Sequence, residues 1–290
     1  MMLRRKKQKR RVRYALFGIF VLVIVGVSSC MKVQEHRINS RQATGAPMKA
    51  EQIGSLAVET AVGGVVRDEV ISGWDEYPDE LVEMYEKYPE TLPFILGYPE
   101  AKKSGKTKHS AAQDLDLSGE CRKGKIPLWF QWDKRWGYGP YGDSMLGVSG
   151  CGPTCLSMVV VGLTGNTRWH PSQVAAFSES NGFLVPEVGT DWRLFSTGAE
   201  QLGLQVRRLV LQGEELWREL MAGHPVICSM KPGDFTYTGH FIVLTGVDRD
   251  GKIKVNDPNS PKNSARTWPL KTILEQSKAA WAYGCKGRRW

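Results

Sequence analysis

Residues Arg4 to Arg13 carry eight lysines and arginines and no acid, and the eighteen residues from Tyr14 to Met31 carry no charge. No other feature constrains the chain as strongly. An uncharged apolar run of this length is near the lower limit for a helix that spans a bilayer, and a basic flank holds that end on the cytoplasmic side. Residues 1–31 are therefore expected to form a basic flank and a transmembrane signal-anchor. That makes a single-pass cell-membrane protein whose remaining chain lies outside the cytoplasm. Two alternatives keep that side. The "VSSC" ending resembles a lipobox, which would make Cys30 a lipidated N-terminus, and a cleaved signal peptide would release a secreted protein.

The formal charge of +9 takes its meaning from this block. Without it, 31 basic side chains face 30 acidic ones, so the body is close to neutral. Nucleic acid is accordingly not an expected partner.

Composition shifts divide the remainder. Residues 32–70 are polar and poor in aromatics, and are expected to form an extracellular linker. Residues 71–122 are expected to form a helical extension and loop. Three Tyr-Pro pairs punctuate it, at Tyr77, Tyr88 and Tyr98, and Leu81, Met84, Tyr85 and Tyr88 recur at helical spacing. Lys102 to Gly119 reads as a surface loop. Residues 123–290 then form the main domain. Helices are expected over Pro153 to Leu163, Pro171 to Ser180, Thr190 to Leu204 and Glu214 to Ala222. Short β-branched strands follow at Pro225 to Met230, Phe241 to Val247 and Lys252 to Asn256, with "DRDG" as the turn between the last two. Helices first and antiparallel strands second describe an α+β fold.

The last hairpin suggests chemistry before any family does. His240 immediately precedes its first strand and Asp257 immediately follows its second, so folding about the turn brings the two together. A histidine beside an acid that fixes its tautomer is half of a nucleophilic triad. A satisfied, partly buried histidine and a turn-forming aspartate is the plainer alternative. The missing nucleophile must come from another element. In "SGCGPTCLSMVVVGLTG", Cys151 stands at the mouth of a predicted helix, where first-turn amides without internal partners favour a thiolate. Cys155 adjoins Leu156, Val159 and Leu163 and is expected to pack as a small hydrophobe. Gln131, in "IPLWFQWDKRWGYGPYG", is the candidate side-chain donor to an oxyanion, with the backbone N–H of Cys151 as the second donor. Asp191, Trp192, Tyr237 and Thr238 are candidates to line a groove, with turn and packing roles as the alternative. No Cys or His spacing matches a metal site, so neither metal nor cofactor is expected. A disulfide between Cys121 and Cys285 would staple the ends of the domain.

The set "PLWFQWDKRWGY", "SGCGPTCLSMV", "GTDW", "GAEQLGL", "PVICSM", "GDFTYTGHFIVLTGV" and "VNDPNS" resembles the bacterial papain-like cysteine peptidases related to the bacteriocin-processing (double-glycine leader) peptidases. The resemblance covers about Lys125 to Tyr283. It implies a papain-like fold in which a catalytic helix packs on an antiparallel sheet, here preceded by a small helical segment and a membrane anchor. It also implies Cys151 as nucleophile, His240 as base, Asp257 as third member and Gln131 as oxyanion glutamine. Gln131 stands twenty positions before Cys151, farther than in the transporter-fused enzymes, so double-glycine specificity is not carried over. The function implied is hydrolysis of a peptide or protein substrate by a membrane-tethered thiol peptidase. The rivals are a peptidoglycan-peptide amidase or transpeptidase on the same fold, and an inactive peptidase-like binding module.

Overall fold

The computed structural model describes residues 77–108, 115–186 and 189–285. The expected signal-anchor and linker lie outside the described residues. Among the described residues no helix is long and apolar enough to cross a membrane.

The extension is built from α1 (Asp79–Lys87), α2 (Leu92–Leu96) and α3 (Tyr98–Lys103). Pro89, Pro93 and Pro99 each stand in the first two positions of a helical turn, where a missing N–H costs no hydrogen bond. Leu81, Met84, Phe94 and Ile95 close a small core with Tyr138 and Met145 of the main domain. Leu117, placed by the sequence in a surface loop, is instead 1 % exposed and belongs to the main core.

The main domain continues through a two-residue hairpin of β1 (Pro140–Tyr141) and β2 (Ser144–Met145), then α4 (Leu146–Ser149) and α5 (Cys151–Thr164). Helix α5 begins two residues before the expected start, which makes Cys151 its first residue. It ends at Gly165, whose φ of 76° closes a left-handed cap. The sequence predicts a single apolar stripe; eleven consecutive residues from Gly152 to Gly162 are in fact buried. A helix apolar all round is a central helix. The sheet covers one side of α5, and α6 (Pro171–Ser180) and the entry segment near Ile126 cover the others. Burying each Leu or Val side chain there contributes about 1.5–3 kcal/mol before ordering costs.

The expected helix over Thr190 to Leu204 is a correction. Gly189 and Thr190 form β4, which pairs with β3 (Leu184–Val185). Asp191 then accepts from the N–H of Arg193 to start a 3₁₀ turn over Trp192–Phe195. At Ser196 the backbone leaves helical space, at φ −111° and ψ −91°, before α7 (Thr197–Gln201) begins. Local capping thus outcompetes the apolar periodicity.

Beyond α7 come β5 (Leu204–Leu209), α8 (Gly213–Met221), β6 (Val226–Met230), β7 (His240–Val247) and β8 (Ile253–Asn256). Helix α9 (Pro261–Ser264), β9 (Thr267–Trp268), α10 (Leu270–Gln276) and β10 (Ser277–Cys285) complete the described chain. The six-stranded antiparallel sheet has the order β5-β10-β6-β7-β8-β9. Helix α5 packs on one face, and the apolar sides of α8 and α10 pack on the other. Because both faces are covered, β6 is buried at every position and its sequence lacks alternation. Strand β10 sits between β5 and β6, and Ala279, Ala280 and Ala282 keep it thin beneath the helices.

Candidate active site

Three elements converge on one open cleft of about 220 Å³, which includes Gln131, Val148, Cys151, Tyr237, His240 and Asn259 in its lining. Cys151 is half-buried at the first position of α5, where its N–H has no intrahelical acceptor. The backbone can reach this position only because the next residue is glycine. A Cβ on Gly152 would lie 2.5 Å from Oγ1 and 2.8 Å from Cβ of Thr190 on β4. Thr190 cannot yield freely, since its hydroxyl hydrogen-bonds the buried Tyr141 hydroxyl at 2.9 Å. Gly152→Ala is therefore expected to cost about 1–3 kcal/mol by overpacking. Thermal melting should show the loss, and thiol reactivity at Cys151 should change with it.

His240 opens β7 and is 8 % exposed. Its Nε2 lies 2.7 Å from Oδ1 of Asp257, and its ring shares the cleft with the Cys151 thiol. Burial alone would pull the imidazole toward neutrality. The charge and hydrogen bond of Asp257, joined by Cys151, outweigh burial and push it up to about 10. The imidazolium form is thus the one this site favours.

Asp257 follows β8 and is fully buried. Its Oδ1 also accepts from the Asn259 N–H at 2.9 Å, and its Oδ2 accepts from the Asn263 side chain at 2.9 Å. Its own N–H donates to Oγ of Ser264 at 2.9 Å. This cradle is supplied by "DPNSPKNS", where Ser260 caps α9 by accepting from the N–H of Asn263. Asn259, Asn263 and Ser264 were not singled out from sequence. The Ser-Pro-x-Asn cap just after Asp257 was the available signal.

Gln131 reaches the cleft but does not present a donor to it. Its Nε2 donates to the carbonyls of Gly147 and Val148, at 3.0 Å each, and its buried Oε1 has no partner among the described residues. Its backbone N–H donates to the Pro258 carbonyl at 2.8 Å, which ties the entry segment to the turn that carries Asp257. An oxyanion would have to draw one Nε2 hydrogen away from these carbonyls.

The remaining candidates separate cleanly. Cys155 is fully buried, and its thiol donates to the Phe241 carbonyl at 3.3 Å. Burial first, then the neighbouring Cys151, Asp257 and Cys228, push that thiol well above the ordinary cysteine range. Tyr237 and Thr238 line the cleft, whereas Trp192 packs edge-on against Trp281 with ring centroids 5.5 Å apart. Asp191 is bound to Arg193. Cys121 and Cys285 are not joined by a disulfide, and Cys285 donates to the Leu163 carbonyl at 3.3 Å. Among the described residues no group of three or more His, Cys, Asp or Glu side chains could hold a metal ion.

A thiol at a helix mouth, a histidine from the sheet and a carboxylate in the next turn are the arrangement expected of a papain-like cysteine peptidase. Residues 123–286 match the model of the Peptidase_C39 like family, and with more than half of the sequence matched the chain belongs to that family. A solved structure it resembles is the peptidase domain of Streptococcus ComA, a bi-functional ABC transporter involved in a quorum sensing pathway. The two share 17% identity over 48% of this chain and 93% of that domain, with a TM-score of 0.35. No curated protein matches the chain.

Proposed function

We propose that the chain is a thiol peptidase tethered at the outer face of a cell membrane, hydrolysing peptide bonds through Cys151, His240 and Asp257. The observation that carries this reading is the pairing of His240 with the buried Asp257 at 2.7 Å in the cleft that Cys151 also lines. Cys151 gives its proton to His240, and its sulfur attacks the peptide carbonyl carbon. The resulting oxyanion takes the Cys151 N–H and one Nε2 hydrogen of Gln131, released from the carbonyls of Gly147 or Val148. The imidazolium of His240 then protonates the leaving amine as the C–N bond breaks, leaving a thioester. Water, deprotonated by His240, attacks the thioester, and the thiol is regenerated. Asp257 holds and stabilises the imidazolium throughout. The tether rests on the basic and apolar block of residues 1–31 alone.

The test is hydrolysis of a mixed peptide library by the full chain, read by mass spectrometry. Cleavage that Gln131→Ala reduces about 10²–10³-fold in kcat, with KM little changed, is the expected result. Cleavage unaffected by this substitution would remove Gln131 from the mechanism. No cleavage of any peptide would overturn the peptidase reading.

A further inference from the structure

One wall of the cleft that holds Cys151 comes from the extension. Glu80, Glu83, Met84, Lys87 and Tyr88 all belong to α1 or the residue that ends it. This wall is firmly docked. Phe94 stacks on Tyr138 with centroids 4.3 Å apart, and the Tyr138 hydroxyl donates to the Phe94 carbonyl at 2.6 Å.

The charges along this wall do not cancel. Lys87 pairs with Glu83 at 3.5 Å, which leaves the carboxylate of Glu80 over. Among the described residues Lys87 is the only lysine or arginine in the lining, and His240 is already met by Asp257 at 2.7 Å. Glu80 is half-buried, and its Oε2 accepts from the Ser144 hydroxyl of β2 at 2.5 Å. That bond fixes the side chain without neutralising it. Among the described residues Glu80 forms no ion pair. A carboxylate partly withdrawn from water attracts a cation more strongly than an exposed one does. Two further groups of the lining are left open. Gln131 is 3 % exposed, and its Oε1, without a partner among the described residues, is an acceptor for a peptide N–H. Tyr237 is 74 % exposed, and an open ring is a surface on which the apolar stem of a long side chain packs.

We propose that Glu80 is a specificity-determining residue supplied by the extension, and that it selects peptides with a lysine or arginine close to the scissile bond. The ammonium or guanidinium donates to the Glu80 carboxylate, which Ser144 holds by one oxygen only. A glutamine in the substrate can reach the same place but brings no charge, and a glutamate is repelled. A hydrogen bond to a charged group discriminates by about 10–100-fold. This substrate class rests on the peptidase reading, but the preference can be observed in binding without any hydrolysis.

The experiment gives the full chain peptides capped at both ends that differ at one position, lysine or arginine against glutamine, scanned across the cleavage site. At one position kcat/KM should favour the basic peptide by about 10–100-fold. Glu80→Gln keeps the size and still accepts from Ser144, so it should bring that ratio close to one. Glu80→Lys should turn the preference toward glutamate. Glu86→Gln, exposed on α1 outside the lining, should leave the ratio as it is in the wild type. Melting curves establish that each variant is folded, and if one Glu80 variant fails to fold the other decides. A wild-type ratio near one at every position, or a ratio unmoved in a folded Glu80 variant, overturns the proposal. Calorimetry of the same peptides with Cys151→Ala reads the preference without cleavage. Preferential binding of basic peptides, lost in Glu80→Gln, by a chain that cleaves none keeps the role of Glu80 and sinks the peptidase. Cleavage without preference does the reverse, and neither cleavage nor preferential binding sinks both.

Discussion

Cys151→Ala is expected to abolish peptide hydrolysis, by about 10⁵-fold or more, because the nucleophile has no substitute. The nearest thiol, Cys155, lies one helical turn away, fully buried, with its S–H committed to the Phe241 carbonyl. Desolvation keeps it protonated, and a protonated buried thiol neither attacks a carbonyl nor meets a peptide. The same contrast predicts how the protein labels. A limiting dose of an alkylating probe should modify Cys151 in the folded wild type and leave Cys155 untouched, as read by peptide mapping. Labelling at Cys155, or hydrolysis surviving in the alanine variant, would assign the chemistry elsewhere. Since Cys151 is only half-buried, little change in melting temperature is expected.

Asp257→Asn should lower kcat/KM about 10²–10⁴-fold while leaving the shape of the site intact. The amide is the same size as the carboxylate and can still meet His240, but it carries no charge. Burial of His240 is then opposed only by the lesser influence of Cys151, and the imidazole that Asp257 holds up to about 10 is expected to turn neutral at pH 7. A neutral imidazole cannot stabilise a thiolate or protonate a leaving amine. Stability should report the same event. A histidine whose pKa is raised on folding stabilises the native state fully below its unfolded value of about 6.5. That contribution disappears as pH climbs through about 10. The melting-temperature gap between wild type and Asp257→Asn should therefore be wide in weak acid and close toward pH 10. A gap independent of pH would mean that His240 is not paired as the geometry has it.

Much of this site is legible in the residues themselves. The helix mouth at Cys151 is announced by Gly-Pro and by the apolar run behind it. The β7–β8 hairpin is announced by β-branched strands around Asp-Arg-Asp-Gly, with His240 and Asp257 at its two open ends. What escapes a sequence reading has identifiable physical causes. Strand β10, in "SKAAWAYGC", has few residues that favour strands, because a strand covered by helices on both faces needs small side chains there. Residues Thr190 to Leu204 have helical periodicity, yet capping by Asp191 and pairing of Gly189 with Val185 break it. The register of the catalytic hairpin is likewise not a local property. A bulge between Leu244 and Gly246 shifts the β7–β8 pairing by one residue on the way from the turn to the catalytic end. Gly246 accommodates it at a φ of 153°.

By itself the sequence determined the elements that carry the reactive groups, because caps, turns and β-branched runs act over a few residues. It also determined that the two cysteines of "CGPTC" differ, since only one adjoins the apolar run. Tertiary structure alone decided the surroundings: the α9 cradle under Asp257, the Gln131 amide turned toward the carbonyls of Gly147 and Val148, and Tyr88 at the cleft from far upstream. Burial is a property of how distant segments pack. It therefore sets the protonation of His240 and Cys155 in a way that no run of adjacent residues records.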